Sequence, residues 1–139
     1  MAVSIQKLRK RGQFLFVRAG ARAGRPSVTI EARRRAEDGP IGVGFTASRK
    51  VGPAVVRNRA RRRLREAARQ LLALHGLAGV DYVLVARQST PDADWAALLD
   101  DVGSALIRLR ADLTSGAESR QRQRASQLSP RPAKPRKSD

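Results

Sequence analysis

The sequence contains no cysteine and a single histidine, His75. Without cysteine the chain can form no disulfide, no thiol nucleophile and no zinc–thiolate site. One histidine cannot build a metal centre that needs several imidazole ligands. These absences exclude cysteine- and multi-histidine-based enzymes, and we predict neither a catalytic residue nor a metal site in the protein itself.

Acidic residues are also scarce. The chain has 12 aspartates and glutamates against 29 lysines and arginines, which gives a formal net charge of +17 over 139 residues. A charge this large and of one sign implies a polyanionic partner. Nucleic acid is the first candidate, and an anionic membrane surface is the second.

Long apolar runs are missing as well. No stretch of the sequence approaches the roughly 20 residues that a membrane-spanning helix requires. The basic N-terminal segment lacks the apolar core and the small-residue cleavage site of a signal peptide. We therefore predict a cytoplasmic protein that does not use a membrane.

Apolar residues nevertheless make up 41% of the chain, which is enough for a modest core in one domain. Their spacing predicts an alternation of elements in the order α-β-β-α-β-α. The predicted helices cover residues 5–20, 53–74 and 91–113, the predicted strands cover 27–33, 41–48 and 79–87, and 21–26 is a predicted loop. The rest is polar, basic and proline-bearing, so we predict a domain over 1–113 and a disordered tail over 114–139.

The strand predicted at 41–48 alternates between large and minimal side chains. Ile41, Val43 and Phe45 lie on one side, whereas Gly42 and Gly44 lie on the other. Glycine in a strand interior often marks a place where another group approaches the backbone closely. We expect such an approach on the glycine side of this strand.

The last helix is predicted to begin just after residue 90. Thr90 is a suitable N-cap, and Pro91 suits the first helical position. Aspartates near this end are favourable to the helix dipole. We interpret four of them as capping or solvent-facing charges rather than metal ligands: Asp92, Asp94, Asp100 and Asp101.

Residues 56–69, VRNRARRRLREAAR, are half arginine and contain one glutamate. At 100° per residue the apolar side chains form one stripe. That stripe comprises Val56, Ala60, Leu64, Ala67, Leu71 and Leu74. The opposite face comprises Arg57, Asn58, Arg61, Arg62, Arg65 and Arg69. The pattern predicts a docked amphipathic helix that presents a row of arginines to solvent.

Like charges spaced three and four residues apart destabilise an isolated helix by a few tenths of a kcal/mol per pair. Phosphate groups would remove this repulsion, so the pattern favours contact with nucleic acid. A solvated face that aids solubility is the alternative, although solubility does not require one sign so exclusively. Asn58 could bond the local backbone, or it could bond a ribose or a base edge.

Residues 46–69, TASRKVGPAVVRNRARRRLREAAR, closely resemble the signature of the bacterial ribonuclease P protein subunit. The core of the match is RNR at Arg57, Asn58 and Arg59, followed by a basic run. A basic pair, Arg49 and Lys50, precedes it together with VG. The order of the surrounding segments also agrees with the family, and the similarity spans about residues 5–110.

This resemblance implies an α+β fold: a ribosomal-S5-like two-layer α/β sandwich with a left-handed βαβ crossover over 41–87. Periodicity alone could not predict that hand, because such crossovers are generally right-handed. The resemblance further implies one protein per catalytic RNA, in a ribonucleoprotein endoribonuclease that removes the 5′ leader from precursor tRNA. The RNA would carry the chemistry and require Mg²⁺, and the protein would bind the RNA and the leader.

Carried over by position, the RNA-binding residues are Arg49, Lys50, Arg57, Asn58, Arg59, Arg61, Arg62 and Arg65. The leader-binding cleft would comprise Phe14, Val28 and Ile30, an aromatic and a sheet surface suited to a single strand. The family often has an aromatic residue near 27–30, which this sequence lacks. Phe14 could instead be a core residue.

Two other classes of binding protein fit parts of the sequence. A general RNA-binding structural protein of ribosomal type fits the composition equally well, and only the RNR context separates it. A DNA-binding protein would mix glutamine, serine, asparagine and threonine with arginine to read base edges, which this helix does not do. An enzyme with a protein active site finds no support in the sequence.

Overall fold

A five-stranded sheet forms the centre of the structure, which is a computed structural model that describes residues 4–115. The strands are β1 (Ile5–Lys7), β2 (Ala21–Arg25), β3 (Val28–Arg34), β4 (Ile41–Thr46) and β5 (Val80–Ala86). The helices are α1 (Arg11–Arg18), α2 (Ala54–His75) and α3 (Trp95–Thr114). A 3-10 turn over Arg49–Val51 separates β4 from α2.

The strand order across the sheet is β1-β4-β5-β3-β2. β4 pairs in parallel with both β1 and β5, whereas β3 pairs antiparallel with β5 and β2. Because β4 and β5 are parallel neighbours joined through α2, they form the predicted βαβ unit. The α+β fold class is thereby confirmed, and the left hand of the crossover stays a prediction.

The main core lies between one face of the sheet and the helices α2 and α3. On β5 the alternate residues Tyr82, Leu84 and Ala86 join this core. Val83 and Val85 point to the other face, where α1 packs. The sheet is therefore covered on both faces, which explains why β5 reads as a nearly continuous apolar run.

The predicted limits of α2 are confirmed to within a residue. Pro53 is the N-cap, and the N–H of Gly76 closes the last turn on Leu72 O at 2.7 Å. The predicted apolar stripe needs one correction, because Leu74 is 69% exposed and Leu72 is buried in its place. Positions 72 and 74 lie about 80° to either side of buried Leu64, so periodicity does not choose between them. Tertiary packing places Leu72 in the main core.

Two edge strands were missed by sequence reasoning. The structure places residues 5–7 in β1 rather than in the predicted helix, and 21–25 in β2 rather than in the predicted loop. β1 has only 3 residues, and β2 consists of alanine, arginine and glycine, so the intrinsic strand preference of both segments is weak. Pairing with β4 and with β3 determines their conformation, which is a tertiary effect.

The start of α3 also differs from the prediction. The helix begins at Trp95, and its N-cap is Asp94, whose side chain accepts a hydrogen bond from Ala97 N at 3.2 Å. Thr90 is fully buried and does not cap the helix. Its hydroxyl donates to Ser27 O at 2.7 Å, so it fixes the loop before α3 instead.

Asp101 was predicted to face solvent, but it holds the start of β3 against α3. Its Oδ2 accepts hydrogen bonds from the N–H and the hydroxyl of Ser27 at 2.9 Å and 2.7 Å. The predicted tail begins at the end of α3, at Thr114, and its residues 116–139 lie outside the described residues.

Candidate nucleic-acid interface

The exposed face of α2 carries most of the predicted RNA-binding residues. Ala60, Leu64 and Ala67 lie on the side of α2 that packs into the core and are 0% exposed, so the opposite face of the helix points to solvent. We call this exposed face the arginine ridge; it comprises Arg57, Asn58, Arg59, Arg61, Arg62 and Arg65. Arg57 and Arg61 are partly buried, and the other four side chains are exposed.

Asn58 has a local role on the ridge. Its Oδ1 accepts a hydrogen bond of 2.5 Å from Nη2 of Arg61, one turn further along the helix. Arg57 is also held within the protein, because its Nη1 donates to Gly52 O at 3.0 Å. These contacts orient two ridge guanidinium groups before any ligand binds, which lowers the entropy lost on binding.

Arg62 and Arg65 are exposed and have no carboxylate partner within residues 4–115. The guanidinium of Arg65 lies 5.7 Å from the ring centroid of Phe45, within cation–π distance. Arg59, by contrast, approaches Asp92 at 3.4 Å in an exposed ion pair, which contributes little to stability. Phosphate binding at Arg62 and Arg65 therefore breaks no ion pair.

The ridge is bounded at its C-terminal side by a local ion pair. Arg69 Nη2 donates to Glu66 Oε2 at 2.5 Å, and Gln70 donates to the same oxygen at 3.1 Å. These hydrogen bonds, chiefly that of Arg69, lower the pKa of Glu66. Glu66 therefore remains ionised and offsets the charge of Arg69, which was predicted to belong to the same face.

The basic pair Arg49 and Lys50 lies on the 3-10 turn where β4 passes into α2, and both side chains are exposed. Lys50 O accepts a hydrogen bond of 3.1 Å from Nε2 of Gln88, in the loop after β5. The pair thus lies at the junction between the arginine ridge and the ends of the central strands.

On the opposite face of the sheet, α1 places Phe14 over β4. Phe14 is half-buried and packs with Leu8, Val17 and Val83. A Cβ atom on Gly44 would lie 2.5 Å from Cε2 of Phe14, so the ring occupies the space that a side chain would need. The close approach predicted for the glycine side of β4 is confirmed, and Phe14 is both a packing residue and a partly exposed one.

The prediction that Val28 and Ile30 line the same cleft is wrong. Both are 0% exposed and belong to the core under α2 and α3. Neighbouring strand residues point to opposite faces, and paired residues on adjacent strands share a face. Ile30 pairs with Leu84, which is in the main core, so its side chain cannot reach α1.

The residues that face α1 are the intervening ones. Thr29, Val85 and Thr46 are register partners across β3, β5 and β4, and Val85 and Thr46 are partly exposed. Nη1 of Arg87 lies 3.4 Å from Oγ1 of Thr29, which places a cation at the edge of this row. We call Phe14 and these four residues the cleft. The register in which β3 pairs with β5 decides which residues of β3 face α1, and the sequence does not reveal that register.

A second basic surface borders α1 and was not predicted as a site. An open cavity of about 510 Å³ is lined by Gln6, Lys7, Arg9, Lys10 and Gln13. Oε1 of Gln13 accepts hydrogen bonds from the N–H groups of Arg9 and Lys10, at 2.8 Å and 2.9 Å. The basic residues clustered in the segment 7–11, KLRKR, were the sequence signal that could have identified this surface.

Two other features are absent from residues 4–115. No three or more histidine, cysteine, aspartate or glutamate side chains there are grouped so that they could hold a metal ion. None of the helices there has the length and apolar character to cross a bilayer.

Gly44→Ala is expected to lower the free energy of unfolding by about 1–3 kcal/mol, because the new methyl group displaces the Phe14 ring. The double variant Gly44→Ala with Phe14→Leu should lose less free energy of unfolding than the two single variants lose in total. Urea denaturation of the four proteins measures this coupling. Gly24→Ala is the matched control, since the nearest atoms to its Cβ lie at 4.0 Å. Additive effects would show that the ring does not rest on Gly44.

Comparison with known proteins identifies the family. The sequence profile of the Ribonuclease P family matches residues 4–110. The ribonuclease P protein component of Caulobacter vibrioides is 50% identical over 115 residues, covering 82% of this chain and 77% of that protein. The corresponding protein of Ruegeria pomeroyi is 50% identical over 110 residues, covering 77% and 88%.

Solved structures agree in fold. The RNase P protein from Thermotoga maritima superposes with a TM-score of 0.63 at 24% identity, covering 73% of this chain and 96% of that one. The RNase P protein of Staphylococcus aureus has a TM-score of 0.63 at 21% identity, covering 74% and 94%. With half of the aligned residues identical to those of these relatives over most of its length, and with this fold, the chain belongs to the family of the bacterial ribonuclease P protein component.

Proposed function

We propose that this protein acts in the cytoplasm, as one copy per catalytic RNA, in a ribonucleoprotein that removes the 5′ leader of precursor tRNA. Membership of the family makes it a subunit of ribonuclease P and a partner of that enzyme's RNA. In our proposal the RNA carries the cleavage chemistry together with Mg²⁺. The protein contributes binding surfaces and no reacting group.

The observation that carries the proposal is the separation of two binding surfaces by the sheet. The arginine ridge lies on α2, which packs on one face, and the cleft lies under α1 on the other. Arg49 and Lys50 stand on the turn that joins β4, a strand of the cleft floor, to α2, which carries the ridge. A subunit built in this way can hold the catalytic RNA with α2 and a separate single strand beside α1.

The ridge supplies mainly electrostatic affinity. Its guanidinium groups suit bidentate contact with phosphate oxygens, and such contacts position an RNA without reading its bases. Arg62 and Arg65 are free to make these contacts, whereas Asn58 keeps Arg61 directed along the helix. Because phosphate neutralisation releases counterions, the affinity of the complex should fall steeply as salt rises.

The cleft suits an extended single strand. The partly exposed ring of Phe14 offers a stacking surface, and Val85 and Thr46 offer a shallow floor. Arg87 supplies a cation at the edge of that floor, next to Thr29. Mature tRNA has no leader to occupy the cleft, so these contacts should favour binding of the precursor over binding of the product.

The proposal is tested by cleavage of a precursor tRNA at low Mg²⁺. The full chain, a bacterial ribonuclease P RNA, and the two together are assayed side by side, with polylysine as a control for unspecific charge screening. Cleavage at the mature 5′ end should require both components, because the protein screens phosphate repulsion that Mg²⁺ screens at high concentration.

Three outcomes would contradict the proposal. Cleavage by the protein alone would place the chemistry in the chain. Equal stimulation of cleavage by polylysine would mean that the protein acts only as a polycation. Tight RNA binding without stimulation of cleavage would favour the general RNA-binding protein of ribosomal type.

A further inference from the structure

Arg63 lies among the ridge arginines in sequence but does not belong to the ridge. Its Nη1 donates to Thr90 O at 2.6 Å, and its Nη2 donates to Ala93 O at 2.6 Å. The same guanidinium lies 5.5 Å from the ring centroid of Trp95. Arg63 thus binds the loop over residues 87–94 in a bidentate manner, a geometry that lysine cannot reproduce.

Thr90, the loop residue that Arg63 holds, is 0% exposed and is bonded at each of its polar groups. Its Oγ1 accepts a hydrogen bond from Arg87 N at 2.7 Å and donates one to Ser27 O at 2.7 Å. Its own N–H donates to Arg87 O at 3.0 Å. The backbone of Arg87 is therefore fixed on both sides by a single buried threonine.

The other end of this loop contacts the cleft and the basic pair that precedes α2. The Arg87 side chain extends over β3 to Thr29, at 3.4 Å. The next residue, Gln88, donates to Lys50 O at 3.1 Å. A chain of short hydrogen bonds therefore runs from α2 through Thr90 to a cation in the cleft.

We infer that Arg63 and Thr90 are positioning residues for precursor recognition. They hold Arg87 where its guanidinium can meet a leader phosphate, and they make no RNA contact themselves. Fixing the backbone of a cation before binding removes an entropic cost that the ligand would otherwise bear. This inference rests on the proposed leader-binding role of the cleft, and it adds a link from the helix that carries the ridge to the cleft.

The test measures binding of precursor and mature tRNA to the assembled ribonucleoprotein and compares their dissociation constants as a ratio. Thr90→Val keeps the shape of the side chain and removes its hydroxyl, and Thr90→Ser keeps the hydroxyl. Thr90→Val should reduce the preference for precursor about fivefold at about 0.1 M salt, the contribution of one single-strand phosphate contact. Thr90→Ser should retain the preference.

A double variant separates positioning from general destabilisation. Arg87→Ala should lower the preference by the same factor, and Thr90→Val combined with Arg87→Ala should lower it no further. Circular dichroism at the assay temperature confirms that each variant is folded. Independent, additive losses would overturn the inference, as would a Thr90→Val complex that keeps the full preference.

Adjacent arginines of α2 provide a matched pair with equal loss of charge. Arg63→Gln should reduce the precursor preference and leave the salt dependence of RNA-subunit assembly unchanged. Arg62→Gln should flatten that salt dependence and leave the preference unchanged. Identical behaviour of the two variants would place Arg63 on the ridge and overturn the inference.

Failure of the proposed function gives a different result. If the unmodified complex binds precursor and mature tRNA equally, the leader-binding role of the cleft is wrong, and this inference is overturned with it. If Arg87→Ala abolishes a preference that Thr90→Val and Arg63→Gln both retain, the cleft stands and only the positioning role is lost.

Discussion

Replacing both Arg62 and Arg65 with glutamine is expected to weaken binding of the catalytic RNA about 25- to 60-fold at about 0.1 M salt. Each phosphate contact contributes about 0.7 to 0.9 log unit to the binding constant for every tenfold decrease in salt. Both side chains are exposed and have no carboxylate partner within residues 4–115. Their removal therefore subtracts contacts with RNA without breaking an ion pair.

The measurement is the dissociation constant of the protein–RNA complex across a salt series. The slope of its logarithm against log salt should decrease by about 1.4 to 1.8 for the double variant. Arg108→Gln with Arg110→Gln is the control for net charge, because it removes the same charge from exposed positions on α3; it also breaks the ion pair of Arg108 with Asp112. A similar change in slope for both double variants would mean that net charge, rather than the ridge, determines binding.

Asp81→Ala is expected to destabilise the protein by about 3 kcal/mol, because it leaves a largely buried guanidinium without its counter-charge. Asp81 is 4% exposed, and its Oδ1 accepts a hydrogen bond of 2.5 Å from Nη1 of Arg35. The other terminal nitrogen of Arg35 donates to Pro40 O at 2.7 Å, so this pair joins β5 to the turn before β4. Urea denaturation measures the loss.

Two control variants separate the effect of burying an unpaired charge from the effect of losing an ion pair. Asp81→Ala with Arg35→Ala should cost clearly less than the sum of the single changes, since no charge is then left unpaired. Asp112→Ala, which removes a carboxylate from an ion pair with the exposed Arg108, should cost only about 0.3–0.5 kcal/mol. Equal losses for Asp81→Ala and Asp112→Ala would show that the buried pair contributes no more than a surface one.

The arginine helix illustrates how much a local pattern can predict. Its limits follow from Pro53 and Gly76, and its buried side follows from helical periodicity, because both depend on neighbours within a few residues. The position of Arg63 does not follow in this way. Its partners, Thr90 and Ala93, lie 27 and 30 residues away, and only the packing of α2 against the loop brings them together.

The cleft illustrates the opposite case. The existence of β3 was predicted correctly, yet the residues assigned to the cleft lie on the other face of this strand. Alternation reveals two sides of a strand but does not say which side meets which helix. The pairing of Ile30 with Leu84 and of Thr29 with Val85 decides this, and it is set by contacts between distant strands.

Composition, periodicity and one signature motif by themselves determined the polyanionic partner, the amphipathic α2 and the ribonuclease P resemblance. Each of these depends on charge or on spacing within a short segment. Tertiary structure alone decided that 5–7 and 21–25 are edge strands, that Val28 and Ile30 are core residues, and that Thr90 and Arg63 reach the cleft through Arg87. The reason is physical: strand pairing and buried hydrogen bonds join residues far apart in the chain, and local preference carries little information about them.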